Sequence, residues 1–162
     1  MLRNPDRNNV TKMSRTVFAV GVAVAAAALL PAAHAQVTQT QTMGDLKAFD
    51  PQKLSFDEAK ALLPGARVSR ISHSGSNVWW TNEPEGSFIA NSDNRGNGSR
   101  SSSSAPGKWR LNPDGKYCVD LEWKRQELEN WCRFVLKTTD GYYLVGDNMA
   151  DTARVFKVKF EK

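Results

Sequence analysis

The chain has 162 residues, with 22 Lys and Arg against 17 Asp and Glu, a formal charge of +5. That excess is not a nucleic-acid footprint, because four of the basic residues and one acid fall within the first 35 positions. The other 127 residues keep 18 basic against 16 acidic side chains, which suits one modest domain and offers no basic cluster to a nucleic acid.

The first 35 residues read as an address. Arg3, Arg7, Lys12 and Arg15 precede an apolar run from Thr16 to Leu30, Pro31 breaks it, and Ala33-His34-Ala35 supplies the small residues that a signal peptidase reads. This order of charged, apolar and A-x-A segments predicts a secretory signal peptide cleaved after Ala35. The run is about 15 residues, short of the roughly 20 that span a bilayer, so no stable membrane insertion is expected after cleavage. No Cys stands directly after the cleavage site, where Gln36 lies, and no twin-arginine pair precedes it, so the expected product is a periplasmic or secreted protein without a lipid anchor.

After the signal, residues 36–53 are polar, repeat Gln and Thr, and lack an apolar period, which predicts a flexible tether ahead of a single β-rich domain over residues 54–162. Ser55-Phe56-Asp57-Glu58 is a capping box. Phe56, Ala59, Leu62 and Leu63 then share a helical face, and Pro64-Gly65 ends the helix, so Phe56 and the two leucines are expected to lay it on the core. Val68 and Ile71 begin a strand that should kink, since they differ in alternation. Val78 to Thr81 and Ser87 to Ala90 form a hairpin about Pro84-Glu85-Gly86. Ser92 to Gly107 is rich in Ser, Gly and Asn and predicts a flexible loop. It has no strand-then-helix context that would make it an anion-binding glycine loop.

From Lys108 the period of two is clearest. Trp109 and Leu111 lead into the turn Asn112-Pro113-Asp114-Gly115. Tyr117, Val119, Leu121 and Trp123 return on one face, with Cys118, Asp120 and Glu122 on the other. A polar turn, Lys124 to Asn130, precedes Trp131 to Leu136. Thr139-Asp140-Gly141 turns into Tyr142 to Val145, and Phe156, Val158 and Phe160 alternate in the last strand. Seven or eight strands on short connections predict a mainly β fold: an antiparallel up-and-down meander closed into a small barrel or strongly curved sheet, with one short N-terminal helix. A two-sheet β-sandwich is the alternative.

Cys118 and Cys132 lie 14 apart in an exported chain and are read first as a disulfide, ahead of a metal pair or a reactive thiol. If they pair directly, Phe134 and Leu136 fall on the side of Asp120 and Glu122. Either a bulge flips the register or both faces are covered, and the bulge is the favoured reading.

Leu62 to Gly65, Gly107 to Trp109, Asp114 to Val119, Trp131 to Arg133 and Gly141 to Tyr143 together resemble an uncharacterised family of small exported bacterial β-rich domains. The resemblance spans about the last 105 residues. It implies an exported, disulfide-linked β domain and brings no catalytic residue.

No catalytic set stands out. His73, the one histidine after the signal, has no nucleophile held beside it by any motif, and one histidine with two paired cysteines makes neither a metal site nor a cofactor an expectation. Asp120 and Glu122 could pair for acid–base work, but read more simply as a solvated face bridged to Lys116, Arg125 or Arg133. The aromatics remain. All five tryptophans follow the signal, and the adjacent Trp79 and Trp80 must point to opposite faces of a regular strand. They can fill a small barrel. Alternatively Trp79, Trp80, Trp123, Trp131 and Tyr142 form a ligand or partner surface. The expectation is a non-enzymatic binding or interaction domain of a bacterial envelope. It could be a carrier of an apolar or carbohydrate ligand in a Trp-lined pocket, or an inhibitor-like protein docking on an envelope enzyme through Ser92 to Gly107 or Lys124 to Asn130.

Overall fold

The computed structural model describes residues 41–124 and 128–162. The signal segment, the first tether residues and Arg125 to Glu127 lie outside the described residues. A short strand β1 (Gln52–Lys53) and helix α2 (Phe56–Leu62) lead into eight strands: β2 (Arg67–Ile71), β3 (Asn77–Thr81), β4 (Ser87–Ser92), β5 (Ser103–Leu111), β6 (Tyr117–Leu121), β7 (Glu129–Thr138), β8 (Gly141–Val145) and β9 (Val155–Glu161). Each pairs antiparallel with the next, and β9 returns to β2 through pairs such as Val68↔Phe160 and Arg70↔Val158. The sheet therefore closes on itself as an eight-stranded up-and-down barrel, and closure replaces the sandwich alternative. β1 adds a ninth strand, pairing Gln52↔Lys137 and Lys53↔Leu136 beside the lower half of β7, beyond the reach of β6.

α2 seals one end. Its capping box forms, with Ser55 Oγ accepting from Glu58 N at 3.2 Å and Glu58 Oε2 accepting from Ser55 N at 2.7 Å. Ala59 and Leu63 are fully buried against Leu54, Val68 and Trp80. Phe56, expected to anchor this helix, is instead 40 % exposed. It stands at the first helical position, a turn ahead of the seal. Behind α2 lies a buried polar network. Asn82 Oδ1 accepts from Trp80 Nε1 at 2.9 Å and from Tyr117 Oη at 2.8 Å, and Asn82 Nδ2 donates to the Leu63 carbonyl at 3.1 Å. Burial pushes the Tyr117 phenol well above the usual tyrosine range, although the bonds to Trp80 and Asn82 oppose the shift.

Residues 41–53 are not a tether. α1 (Met43–Leu46), capped by a Thr42–Asp45 box, buries Leu46 completely on the outside of the barrel against Leu136, Tyr143, Val145 and Val155. This strap also settles the register at Cys132. β7 pairs without interruption, from Leu121↔Glu129 through Tyr117↔Arg133 to β8 and Phe134↔Val145. No bulge flips it. Phe134 and Leu136 face outward, as the alternation demands, and the N-terminal strap covers them.

The serine-rich segment is shorter as a loop than expected, and it is shaped. Ser103 to Gly107 belong to β5, which pairs with β4 from Ser92↔Ser103 to Ser87↔Lys108. The remaining loop turns through a 3-10 helix (Arg95–Asn97), held by Asp93 accepting from Asn77 N at 3.0 Å and by Gly96 N donating to Ser76 Oγ at 3.1 Å. A Cβ at Gly96 would stand 1.9 Å from the Ser74 carbonyl oxygen.

Candidate functional site

Alternation decides which side chains enter the barrel. On β2, which runs without a kink, Val68 points inward, so Arg70 does too, while Ile71 points out and is 49 % exposed. On β7, the disulfide Cys118–Cys132 joins directly opposed residues on the outer wall, so Glu129, Trp131, Arg133 and Val135 point inward. β2 leaves α2 behind at Arg67, and β7 begins at the far rim. Arg70, Glu129, Trp131 and Arg133 thus gather at the end of the barrel away from α2.

Arg70 reaches across the lumen from β2 to β7, where its Nη2 forms an ion pair with Glu129 Oε1. The same carboxylate oxygen accepts from Trp131 Nε1 at 3.0 Å. Arg70 is only 12 % exposed in its side chain, and its Nε is buried without a hydrogen-bond partner among the described residues. The Arg133 guanidinium lies 3.9 Å from the Phe156 ring centroid and 5.0 Å from that of Trp131. Among the described residues no carboxylate lies within ion-pair distance of it. Burial lowers its pKa to about 10, with Arg70 adding like-charge repulsion and Glu129 opposing it. Arg133 is therefore still cationic at neutral pH. Phe156, at the rim, is 38 % exposed.

The five aromatic candidates divide. Trp131 belongs to this cluster. Tyr142 points inward from β8 and meets Phe160 edge-on at 5.5 Å; Phe160 and Trp131 in turn both pack on Tyr117, at 6.1 and 5.6 Å. Trp80 is fully inside, stacked on Phe88 at 5.2 Å, and fills the closed end. Trp79, on the opposite face as its position requires, is half-buried on the outer wall. Trp123 follows β6 and packs on the barrel core.

The other sequence candidates stay apart. Asp120 faces out and pairs with Arg110 at 2.6 Å, not with Lys116 or Arg133. Lys116 bridges Asp114 and Asp147. Glu122 lies just past β6, and His73 lies in the β2–β3 turn. Among the described residues no three His, Cys, Asp or Glu side chains are placed to hold a metal ion. The surface grooves among the described residues include one of about 500 Å³ along Thr81, Phe88, Ile89, Pro106 and Gly107, and one of about 290 Å³ between Phe56, Pro84 and Trp109.

Arg70, Glu129, Arg133 and Phe156 were not among the sequence candidates. Counting two from Val68 and one from Cys132 would have placed both arginines inside. Among the described residues no helix is long and apolar enough to cross a membrane. Comparison with protein-family models finds no match, and comparison with curated proteins and with solved structures finds none.

Proposed function

We propose that the chain is an exported, non-enzymatic binding domain of the bacterial envelope and that it recognises its ligand at the end of the barrel opposite α2. The observation that carries this reading is the contrast between the two ends. One is sealed by α2 and by a network in which Asn82 satisfies Trp80, Tyr117 and Leu63. The other holds two arginines and a glutamate among aromatic rings, partly reached by solvent. Ionic groups placed inside a barrel contribute little to stability, since desolvation offsets their attraction. Rigid aromatic and Arg side chains are the types that dominate binding surfaces. The signal-like N-terminus, the disulfide and the resemblance to small exported domains support the envelope location.

The test is native mass spectrometry of the processed chain recovered from a bacterial periplasm after expression of the full sequence. The reading expects a mass matching cleavage after Ala35, two hydrogens below the reduced form. It also expects excess mass lost on gentle activation, and absent from the Trp131→Ala variant. A bare chain in both wild type and variant contradicts it.

A further inference from the structure

Arg133 lies against the Phe156 ring, at 3.9 Å from guanidinium carbon to ring centroid, with Trp131 beside it. A guanidinium packed on an aromatic ring still offers N–H donors along its edge, in the fork that matches a carboxylate or a phosphate. Arg70 illustrates the preference nearby, because its guanidinium already holds the Glu129 carboxylate. Its Nε, buried and unpartnered, is a donor still unused. Among the described residues of the cluster, two guanidinium charges face one carboxylate, an excess of one positive charge in a partly desolvated place. One further monoanion balances it. A doubly charged phosphate would overshoot. The rings of Trp131 and Phe156 add apolar area beside the cation.

We infer that this end of the barrel binds the carboxylate of a small organic acid, with Arg133 gripping the carboxylate and Trp131 and Phe156 packing on the apolar or aromatic body that carries it. The inference rests on the proposed binding end and names its ligand class. Arg70 and Glu129 act as positioning residues. Their ion pair fixes Trp131 through the indole bond to Glu129 and engages the Glu129 carboxylate, so that Arg133 has no carboxylate of its own within ion-pair distance among the described residues.

The probe is benzoate, with benzamide as its neutral counterpart and inorganic phosphate as a second anion. Each is titrated into 15N-labelled processed protein while the Trp131 indole and arginine Nε–H signals are followed. Benzoate should shift the Trp131 and Arg133 signals saturably, with affinity on the order of millimolar for so small a ligand. Benzamide and phosphate should bind at least roughly tenfold more weakly. Arg133→Met should remove the benzoate response, and Arg133→Lys, which keeps the charge but not the planar fork, should weaken it several-fold. Unchanged benzoate shifts in Arg133→Met, equal binding of benzamide or phosphate, or no saturable shift at all would each overturn the inference. A releasable adduct on the periplasmic protein alongside a failed benzoate titration would remove the carboxylate assignment and leave the binding end standing. Failure of both removes both.

Discussion

Asn82 receives no solvent, and its one side chain ties three elements together: the end of α2, strand β3 and strand β6. Replacing it with Leu takes the acceptor from the buried Tyr117 hydroxyl and leaves the Leu63 carbonyl with the Ala66 N–H alone. We predict a loss of about 2–3 kcal/mol in urea unfolding. Tyr117 gives a second test by pH. Its folded phenol titrates above the ordinary value of 10.0, so from pH 10 upward the folded state holds a proton that the unfolded chain releases. Stability should not depend on this group below pH 10 and should fall with rising pH above it, and Tyr117→Phe should flatten that fall. If wild type and Tyr117→Phe lose stability in parallel above pH 10, the buried phenol is misplaced. Neither role was legible locally. Asn82 follows a strand as a turn residue would, and Tyr117, its hydrogen-bond partner, comes from 35 residues away. Arg70 is legible by parity with Val68, but the kink that Val68 and Ile71 suggest hides that parity.

Among elements, the N-terminal strap and the loop after β4 departed most from expectation. Thr42-Met43-Gly44-Asp45 carries the same capping logic as Ser55 to Glu58, but a four-residue helix has too little apolar period to be seen. Its worth lies in Leu46, buried outside the barrel wall. Leu46→Ala should cost about 2–4 kcal/mol and expose Leu136 and Tyr143. A change under about 0.5 kcal/mol in thermal unfolding would mean that the strap is only laid on the surface. The serine-rich loop reads as disordered by composition, yet Gly96 is packed on the β2–β3 turn. Gly96→Ala should therefore destabilise by about 1–3 kcal/mol, through the clash with the Ser74 carbonyl. A neutral effect would contradict the docked loop. The helix, the hairpin turns and the alternating strands were legible because each rests on local spacing. The covering of Phe134 and Leu136 was not, because it depends on a segment some 90 residues earlier in the chain.

At the scale of the whole molecule, the barrel has no free edge along β2 to β9, and the disulfide ties β6 to β7 on its outer wall. Replacing both Cys118 and Cys132 with Ala should lower stability by about 3 kcal/mol from chain entropy alone while leaving the benzoate response intact, since the bond lies on the opposite side of the wall from Trp131 and Arg133. The barrel class was readable from the run of short turns, whereas its division into a sealed end and an ionic end was not. That division depends on which strands face one another across the lumen, and Arg70 meets Glu129 only after closure. The central claim is that the ionic end exists for binding and not for the fold. Its most direct test is urea unfolding of the processed protein carrying Arg70→Met, Glu129→Leu and Arg133→Met together. With the ionic group replaced by apolar side chains of similar size, unfolding free energy should be unchanged or raised, with the same dependence on urea. A loss of more than about 2 kcal/mol would mean that the cluster holds the barrel together, and would contradict the account.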